Sequence, residues 1–454
     1  MNVIIFGAGQ IGSSIARHAA QQNIEVTVID RSENSLQRLI DFPNISLIVG
    51  NVFDAEILKK ANINESSYII AALDSDEQNI VASKITDSLF NPKMKIVLLK
   101  SQIFMQGHIF ELFLRENFAI DVIIQPENKI SEKIRKIIEI SGALDVIDLQ
   151  NLVVVRTICH KNSEILNTAF MHLQEIADIN LFILSITRDG RTFFPTRDDN
   201  LLVDDEIFFI VPRENLNEAM RLLGNPSKDS QNLLIIGGKS IEHSLIQELS
   251  YGHLKFNITV LEDSLKQAEK IAEHFSNHTI IHGDPVSENQ LRDVSKNTDT
   301  AIVCTNSEKT NIISSMLLDH LKIERILTIS SNHNYESLLS IIKKRALIDP
   351  GNVIIEAIFD EMNQNKNFNV TSVQNHSFYL VNLKIPETFS EKNANAESIT
   401  RENQIIPIYL SRDEKITLFQ QNTSFGPGDQ LVILSVKECI KVIEKFFFSY
   451  SFLK

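Results

Sequence analysis

The strongest constraint on how this chain folds is an internal repeat of its landmarks. A glycine turn follows an apolar run at Gly7 and again at Gly237, an offset of 230 residues. An acidic residue closes the next apolar run at Asp30 and again at Glu262, an offset of 232 residues. Because separate landmarks keep nearly the same spacing, the sequence predicts a tandem duplication in which the two halves share one fold.

Each half of the repeat divides into three segments of different pattern. Short apolar runs first alternate with helical patterns, which is typical of a Rossmann-like α/β domain with a doubly wound parallel sheet. A proline-initiated helix with an apolar stripe follows, and such a helix can pack within its own chain or swap onto a partner. A small β-rich α+β domain ends the half, and the polar stretch 225–232 is interpreted as the linker between halves. The predicted boundaries, in chain order, are 1–124, 125–142, 143–225, 232–349, 350–366 and 367–454.

Composition argues against several classes of partner. The formal charge of −14 repels nucleic-acid phosphates and anionic lipid, so nucleic acid is not expected as a partner. No apolar run approaches the ~18 residues that span a bilayer, and no secretory signal is recognisable, so direct membrane insertion is not expected. Cys159, Cys304 and Cys439 are far apart in sequence, which predicts neither a disulfide framework nor a metal site and fits a reducing cytoplasm.

The sharpest local signal is a glycine motif between the first predicted strand and the first predicted helix. It reads Gly7-Ala8-Gly9-Gln10-Ile11-Gly12. In dinucleotide-binding folds the first glycine permits the tight turn, the second lets the backbone approach a pyrophosphate, and the third lets the helix pack closely. The helix N-terminus offers N–H groups to phosphates, and Asp30 can accept hydrogen bonds from ribose and repel a 2′-phosphate, a preference that Arg31 weakens. The first half is therefore predicted to bind NAD or NADH; the alternative is an empty Rossmann-like domain.

Polar residues also follow the fourth and fifth predicted strands. The run Asp74-Ser75-Asp76-Glu77 lies where open α/β sheets have their ligand crevice, so it is a candidate for contact with ribose, adenine or a cation. Equally, Ser75 or Asp76 can cap the helix that follows. Lys100, at the end of the fifth strand, can reach a phosphate or remain solvated.

The second half departs from the glycine motif. Its equivalent run reads Gly237-Gly238-Lys239-Ser240-Ile241-Glu242. Lys239 should obstruct the approach of a phosphate, and Glu242 should place negative charge near it and weaken helix–strand packing. Weak or absent dinucleotide binding is predicted here; the alternative is that the Lys239 ammonium contacts a phosphate.

No catalytic constellation is recognisable in the sequence. G-x-S-x-G, H-E-x-x-H and Walker motifs are missing, and the 12 histidines are scattered. A dehydrogenase would need an acid or base beside the nicotinamide, and the β-rich segments offer no candidate. We therefore expect a binding protein rather than an enzyme. The alternatives are an NAD-dependent oxidoreductase and a non-binding scaffold whose Rossmann-like lobes serve assembly.

The order of these features resembles the TrkA family, the regulatory subunits of bacterial Trk potassium uptake systems. The resemblance rests on the glycine motif with Asp30, on the run Asp74-Ser75-Asp76-Glu77-Gln78-Asn79 and on the duplicated layout, and it covers nearly the whole chain. It implies two RCK (KTN) modules, NAD(H) in the first half with ATP or ADP as further ligands, and a peripheral position on the cytoplasmic face of the inner membrane. The implied partners are a potassium-translocating membrane subunit, which the protein gates, and a second copy that completes a four-lobed ring.

The resemblance also implies nucleotide-binding residues in each half. Relatives carry arginines at positions that read Leu98 and Lys100 here, so phosphate clamping is expected to be weaker. The candidate first site comprises Gly7, Ala8, Gly9, Gln10, Ile11, Gly12, Asp30, Arg31, Asn51, Leu73, Asp74 and Lys100. The candidate second site comprises Gly237, Gly238, Lys239, Ser240, Ile241, Glu262, Thr305 and Asn306.

Overall fold

A computed structural model gives the fold of most of the chain. It describes residues 2–21, 24–101, 104, 120–149, 151–172, 179–227, 230–237, 241–250, 254–330, 342, 345–363, 367–373, 378–389, 394–395, 399, 405–413, 415–420 and 423–448. The chain forms two compact units. The first unit joins residues 1–139 to 229–362, and the second joins residues 140–228 to 363–454. The Rossmann-like segments of both halves thus form one unit, and the β-rich segments of both halves form the other.

The first lobe is a doubly wound parallel sheet, as the alternating pattern predicts. Its strands run in the order β3-β2-β1-β4-β5-β6, and β1 pairs in parallel with both β2 and β4. The central strands β1 and β4 are almost completely buried, because helices cover both faces of a parallel sheet. The elements are β1 (Asn2–Phe6), α1 (Gln10–Gln21), β2 (Glu25–Asp30), α2 (Glu33–Gln37), β3 (Ile45–Val49), α3 (Ala55–Lys60), β4 (Ser67–Ala71), α4 (Asp76–Phe90), β5 (Met94–Leu98) and β6 (Val122–Ile124).

The second lobe repeats the same topology. Its sheet order is β14-β13-β12-β15-β16-β17, which matches the first lobe strand for strand. The elements are β12 (Ser230–Ile236), α7 (Ile241–Ser250), β13 (Lys255–Glu262), α8 (Leu265–His274), β14 (Thr279–His282), α9 (Glu288–Val294), β15 (Thr300–Val303), α10 (Glu308–His320), β16 (Arg325–Ile329) and β17 (Arg345–Ile348). Because β12 begins at Ser230, residues 230–232 belong to this strand, and the interpretation of 225–232 as a linker is wrong there. Gln231 is polar yet buried, so polarity alone misplaced the boundary.

The two connecting helices pack on the opposite halves of the same chain. The first is α5 (Pro126–Glu139), which packs against α7 of the second lobe and ends before Gly142. The second is α11 (Pro350–Asn363), whose Ile354 and Ile358 are buried in the core of the first lobe beside Ala19 of α1. The sequence left packing in the chain and swapping between chains open. The structure shows an exchange between the two lobes of one chain.

Among the residues that the structure describes, the second unit holds two five-stranded antiparallel sheets and a two-stranded one, in which Ala394–Asn395 pairs with Ser424–Phe425. The first has the order β10-β9-β11-β8-β7 and the second has the order β18-β19-β24-β21-β22. The turn Asp189-Gly190, with φ of 50° and 75°, links β9 to β10, a strand that the pattern did not predict. The first group is β7 (Ala143–Leu149), β8 (Leu152–Ile158), β9 (Phe182–Arg188), β10 (Arg191–Phe193), β11 (Glu206–Pro212) and α6 (Leu216–Leu222). The second group is β18 (Phe368–Val373), β19 (Phe378–Lys384), β20 (Ala394–Asn395), β21 (Ile405–Arg412), β22 (Lys415–Leu418), β23 (Ser424–Phe425), β24 (Gln430–Ser435) and α12 (Lys437–Phe448).

A repeated arginine–aspartate pair supports the duplication of these small domains. Arg188 donates from Nε and Nη2 to the two carboxylate oxygens of Asp205 at 2.8 and 2.7 Å. Arg412 makes the same pair of bonds to Asp429 at 2.9 and 2.7 Å. Each aspartate is nearly buried and also accepts a backbone N–H from the turn before it. The pair therefore fixes the turn before the last strand, β11 or β24, in both copies.

Candidate functional site

The glycine turn of the first lobe is closely packed on two sides and open on the third. Gly7 has a φ of +103°, and a Cβ placed on it would lie 2.6 Å from the Ala72 carbonyl oxygen. A Cβ on Gly12 would lie 2.0 Å from the carbonyl oxygen of Gly7, so the first turn of α1 rests directly on the glycine turn. A Cβ on Gly9 would meet nothing within 4 Å. Gly7 and Gly12 thus have structural roles, whereas Gly9 borders space that a ligand can fill.

Asp30 links the glycine turn to the end of β2. Its Oδ2 accepts the Ala8 N–H at 2.6 Å, and its Oδ1 accepts the Ser32 N–H at 2.7 Å. The contact with Ala8 was not predicted from the sequence, because the spacing gives no orientation for the carboxylate. A carboxylate has about four acceptor positions, so two bonds leave capacity for ribose hydroxyls.

Arg31 is held at the neighbouring strand ends. Its Nη2 donates to Asn51 Oδ1 at 2.8 Å, and its guanidinium lies 5.6 Å from the ring centre of Phe53. The N–H of Phe53 donates to the same Asn51 oxygen at 3.1 Å. Phe53 was not singled out from the sequence, although it stands two residues after Asn51. The arrangement presents a planar cation beside Asp30, where a base could stack on it.

The run after β4 is largely structural. Ser75 is the N-cap of α4 and accepts the Gln78 N–H. Asp76 is nearly buried and accepts the backbone N–H groups of Lys100 at 2.9 Å and Ser101 at 2.7 Å. The reading of Asp76 as a ligand contact is therefore replaced by a role in fixing the loop after β5. This loop in turn brings Lys100 to the crevice.

Asn79 provides a second connection between these strand ends. Its Oδ1 accepts the N–H of Leu73 at 2.7 Å, and its Nδ2 donates to the carbonyls of Leu73 and Leu98. Asn311 repeats this pattern in the second lobe with Thr305 and Ile329. Each buried asparagine thus fixes the backbone of the crevice in its lobe.

The first set of candidate residues converges on one edge of the sheet. The glycine motif follows β1, with Gln10 and Ile11 opening α1, and Asp30 and Arg31 follow β2. Asn51 follows β3, Leu73 and Asp74 follow β4, and Lys100 follows β5, where its Nζ lies 3.4 Å from the carbonyl oxygen of Asp74. These five strands are adjacent and parallel, so the residues border one crevice at their carboxyl ends.

The second candidate site is only partly described. Gly238, Lys239 and Ser240 lie outside the described residues. Gly237 has a φ of +66° and packs against Thr305, whose Cγ2 would lie 2.5 Å from an added Cβ. Glu262 is buried and accepts the N–H of Ser264 at 3.1 Å. Ile241 opens α7, and Asn306 is exposed in the loop after β15.

Glu242 takes the position of Gly12 in the second lobe and is fully buried. Within the described part of the chain, neither of its carboxylate oxygens has a hydrogen-bond partner. Burial, with a smaller contribution from Glu262, raises the pKa of Glu242 to about 8. The expectation that Glu242 places a negative charge near phosphates is therefore wrong: at neutral pH this buried acid mainly keeps its proton.

Replacing Glu242 with glutamine should remove a pH-dependent loss of stability. Between pH 4.5 and 8 the folded chain keeps a proton that the unfolded chain releases, so the free energy of unfolding falls as pH rises and levels off above 8. The total is on the order of 3–5 kcal/mol. Urea unfolding should show Glu242→Gln close to the native chain at pH 4.5 and more stable by a few kcal/mol at pH 8.5.

The matched control for this prediction is Glu288→Gln on α9. Glu288 is 44% exposed and pairs with Arg292, so its substitution should shift stability by less than about 0.5 kcal/mol without this pH profile. A constant difference between Glu242→Gln and the native chain from pH 4.5 to 8.5 would show that Glu242 does not hold a proton in the folded state.

An open cavity lies at the carboxyl ends of β13 and β14 in the second lobe. Its volume is about 380 Å³, and its lining includes Asp263, His282, Asp284, Gln290 and Thr310. Asp263 and Asp284 follow β13 and β14, His282 is the last residue of β14, and Gln290 and Thr310 lie on α9 and α10. The second lobe thus retains a crevice at this edge, although Glu242 occupies the position where the first lobe has Gly12.

Comparison with protein families matches most of both Rossmann-like lobes. The TrkA-N domain family matches residues 3–126 and 233–350, and the TrkA-C domain family matches residues 161–224. The Trk system potassium uptake protein TrkA of Halomonas elongata is 27% identical over 380 residues, 82% of each chain. The proteins of the same name from Azorhizobium caulinodans and Haemophilus influenzae are 25% and 24% identical and cover 86% and 98% of each chain.

Solved structures share the fold along the full length. The chain is similar to the GsuK RCK domain, with a TM-score of 0.58 at 17% identity over 99% of this chain and 95% of that one. It is also similar to a GsuK channel bound to NAD, with a TM-score of 0.59 at 16% identity over 99% of this chain and 79% of that one. At this identity the likeness concerns the arrangement of the chain.

Proposed function

This chain belongs to the TrkA family, and on that premise we propose that it is the regulatory subunit of a Trk-type potassium uptake system whose first lobe binds NAD or NADH. The observation that carries the proposal is the open space at Gly9, at the start of α1 and beside Asp30. The N-terminus of a helix attracts phosphate through its N–H groups and its dipole. The site needs no chemical step, and the TrkA relatives are named as potassium uptake proteins.

Different residues of the crevice would contact different parts of a dinucleotide. The backbone from Ala8 to Gly12 would face the diphosphate, and the free acceptor positions of Asp30 would take the ribose hydroxyls. Arg31, fixed by Asn51, would stack on the adenine, and Lys100 would approach a phosphate from the other side. Asp30 would repel a 2′-phosphate, which favours NAD(H) over NADP(H). ATP and ADP share the adenosine half, so they would compete for the same space.

The proposed partner is a potassium-translocating membrane subunit that the chain gates. Among the described helices, none has the length and hydrophobicity needed to cross a membrane. The charge of −14 disfavours binding to an anionic lipid surface, so the proposed docking partner is a protein at the cytoplasmic face of the inner membrane. A dimer of the tandem modules would give a four-lobed ring, and a ligand that binds one ring shape better would shift the population toward it.

Gly9→Lys tests the binding site directly. Because an added side chain meets open space, the substitution should leave thermal stability unchanged and lower NADH affinity at least tenfold. Titration calorimetry with NAD, NADH, NADP, ATP and ADP on the native chain and this variant is the measurement.

Gly426→Lys is the matched control, since a Cβ on Gly426 also meets nothing within 4 Å and the residue lies in the other compact unit. It should bind NADH as the native chain does. Native-like affinity in Gly9→Lys, or no NADH binding by the native chain, would refute the proposed site.

A further inference from the structure

The first connecting helix, α5, is attached to the second lobe along its length. Arg135 Nε donates to Glu248 Oε1 of α7 at 2.9 Å. At the C-terminal end of α5, its last carbonyl groups accept hydrogen bonds from Gln231 Nε2 at 3.1 Å and from the Arg325 guanidinium at 3.2 Å. Gln231 lies on β12 and Arg325 on β16, so α5 is expected to move with the second lobe.

The other end of α5 begins at the ligand crevice of the first lobe. Gln125 immediately precedes the helix, and its Nε2 lies 3.4 Å from the carbonyl oxygen of Ser101. The N–H groups of Ser101 and Lys100 donate to the carboxylate of Asp76, and Lys100 Nζ reaches the carbonyl of Asp74. Residues that border the crevice are thereby linked to the start of α5.

Glu127 places a carboxylate at the same junction. Its Oε2 is buried, and no residue that the structure describes gives it a hydrogen bond. Burial raises the pKa of Glu127, while the charge of Lys100 favours its ionised form and that of Asp76 opposes it. An anionic ligand would draw Lys100 toward itself and away from Glu127. The carboxylate of Glu127 would then experience the negative charge of Asp76 with less compensation from Lys100. Binding in the crevice therefore changes the electrostatic environment of the first turn of α5.

Asn128 extends this linkage to the second lobe. Its Nδ2 donates to Gln125 Oε1 at 2.5 Å, and its Oδ1 accepts from Ser244 Oγ at 2.6 Å. Ser244 is 7% exposed and lies on α7, the helix that follows the second glycine turn. One amide side chain thus joins the crevice of one lobe to the corresponding helix of the other.

We propose that Asn128 is a coupling residue, whose hydrogen bonds to Gln125 and Ser244 transmit ligand binding in the first-lobe crevice to α7 of the second lobe. This inference rests on the proposed NAD(H) site and supplies a route by which that site acts. Because α5 is anchored at both ends, a shift at Gln125 reaches α7 without unfolding any element. Coupling between sites commonly amounts to about 5- to 150-fold in an equilibrium constant.

Hydrogen–deuterium exchange of the full chain, with and without saturating NADH, tests the coupling. In the native chain NADH should slow exchange in the glycine turn, residues 7–13, and at least about fivefold in residues 241–250. Asn128→Ala should keep the first effect and lose the second. Ser244→Ala should do the same, and the double variant should lose no more than either single one.

Arg135→Gln is the control on the same helix pair. It removes the ion pair with Glu248 but leaves Asn128 and Ser244 in place, so NADH should still protect residues 241–250. Retained protection in Asn128→Ala, or protection of residues 7–13 alone in the native chain, would overturn the coupling and leave the binding site standing. No protection at residues 7–13 would overturn the binding site and the coupling together.

Discussion

Replacing Arg325 with methionine should lower the free energy of unfolding of the Rossmann-like unit by about 3 kcal/mol. Arg325 is 5% exposed, and burial lowers its pKa to about 10, so it is still a cation at neutral pH. It donates to the carbonyls of Ile137 and Ile138, to Gln231 Oε1 at 3.0 Å and to Thr300 Oγ1 at 3.0 Å. These carbonyls belong to the last turn of α5, where no intrahelical N–H is available.

The net loss combines two opposing contributions. Methionine fills much of the volume and removes a buried charge, which offsets part of the cost. The acceptors left without a donor each cost about 1–3 kcal/mol, so their sum exceeds the gain. Urea unfolding followed by circular dichroism measures the difference in the free energy of unfolding. The loss in the free energy of NADH binding to the first lobe should be smaller than this difference.

Arg292→Met on α9 is the control. It distinguishes the effect of removing a buried arginine from the effect of removing an exposed one. Arg292 is 57% exposed and pairs with Glu288 one helical turn away. Its substitution should change stability by less than about 0.5 kcal/mol. Equal, small effects of the two substitutions would mean that Arg325 does not hold the end of α5.

Local sequence patterns were sufficient to predict the fold class of each lobe. The alternation of apolar runs and helical patterns predicted a doubly wound sheet, and the strand order of both lobes confirms it. The glycine spacing predicted a tight turn at Gly7 and close helix packing at Gly12, and both are present. These features depend on neighbouring residues, which is why a single sequence carries them.

The exchange of the connecting helices could not be read from the pattern. An apolar stripe on α5 or α11 shows that the helix is covered, but the two lobes are copies and offer similar surfaces. The choice is made by distant residues: Ser244 and Glu248 receive α5, while the small side chain of Ala19 lies in the core that receives α11. Such pairings emerge only when the whole chain is folded.

Side-chain direction was the other quantity that the sequence did not fix. Asp76 stands in a run of polar residues at a crevice, and two backbone N–H groups 24 and 25 residues away decide that it is structural. Glu242 stands at the start of a helix, and its burial decides that it is mainly protonated rather than a charge facing phosphates. For both carboxylates the sequence position indicated a place near the crevice. It did not indicate what surrounds the side chain in the folded protein.

Gly12→Ala should lower NADH affinity about 100-fold, which corresponds to about 2.7 kcal/mol. The added Cβ would lie 2.0 Å from the carbonyl oxygen of Gly7, whereas ordinary contacts begin near 3.4 Å, so α1 has to move away from the turn by more than 1 Å. That movement withdraws the N–H groups at the start of α1 from the diphosphate. It also strains the first lobe, and we expect a stability loss of about 1–3 kcal/mol.

Gly9→Lys is the comparison that isolates the cause, because it should lose affinity without losing stability. Calorimetry and thermal unfolding on both variants give the two quantities. The second lobe carries a side chain, Glu242, at the position that corresponds to Gly12. Its glycine turn also differs, since Gly237 has a φ of +66° where Gly7 has +103°. If Gly12→Ala bound NADH as tightly as the native chain, the turn could admit a side chain and keep its ligand, and Glu242 would no longer explain why the two lobes should differ in binding.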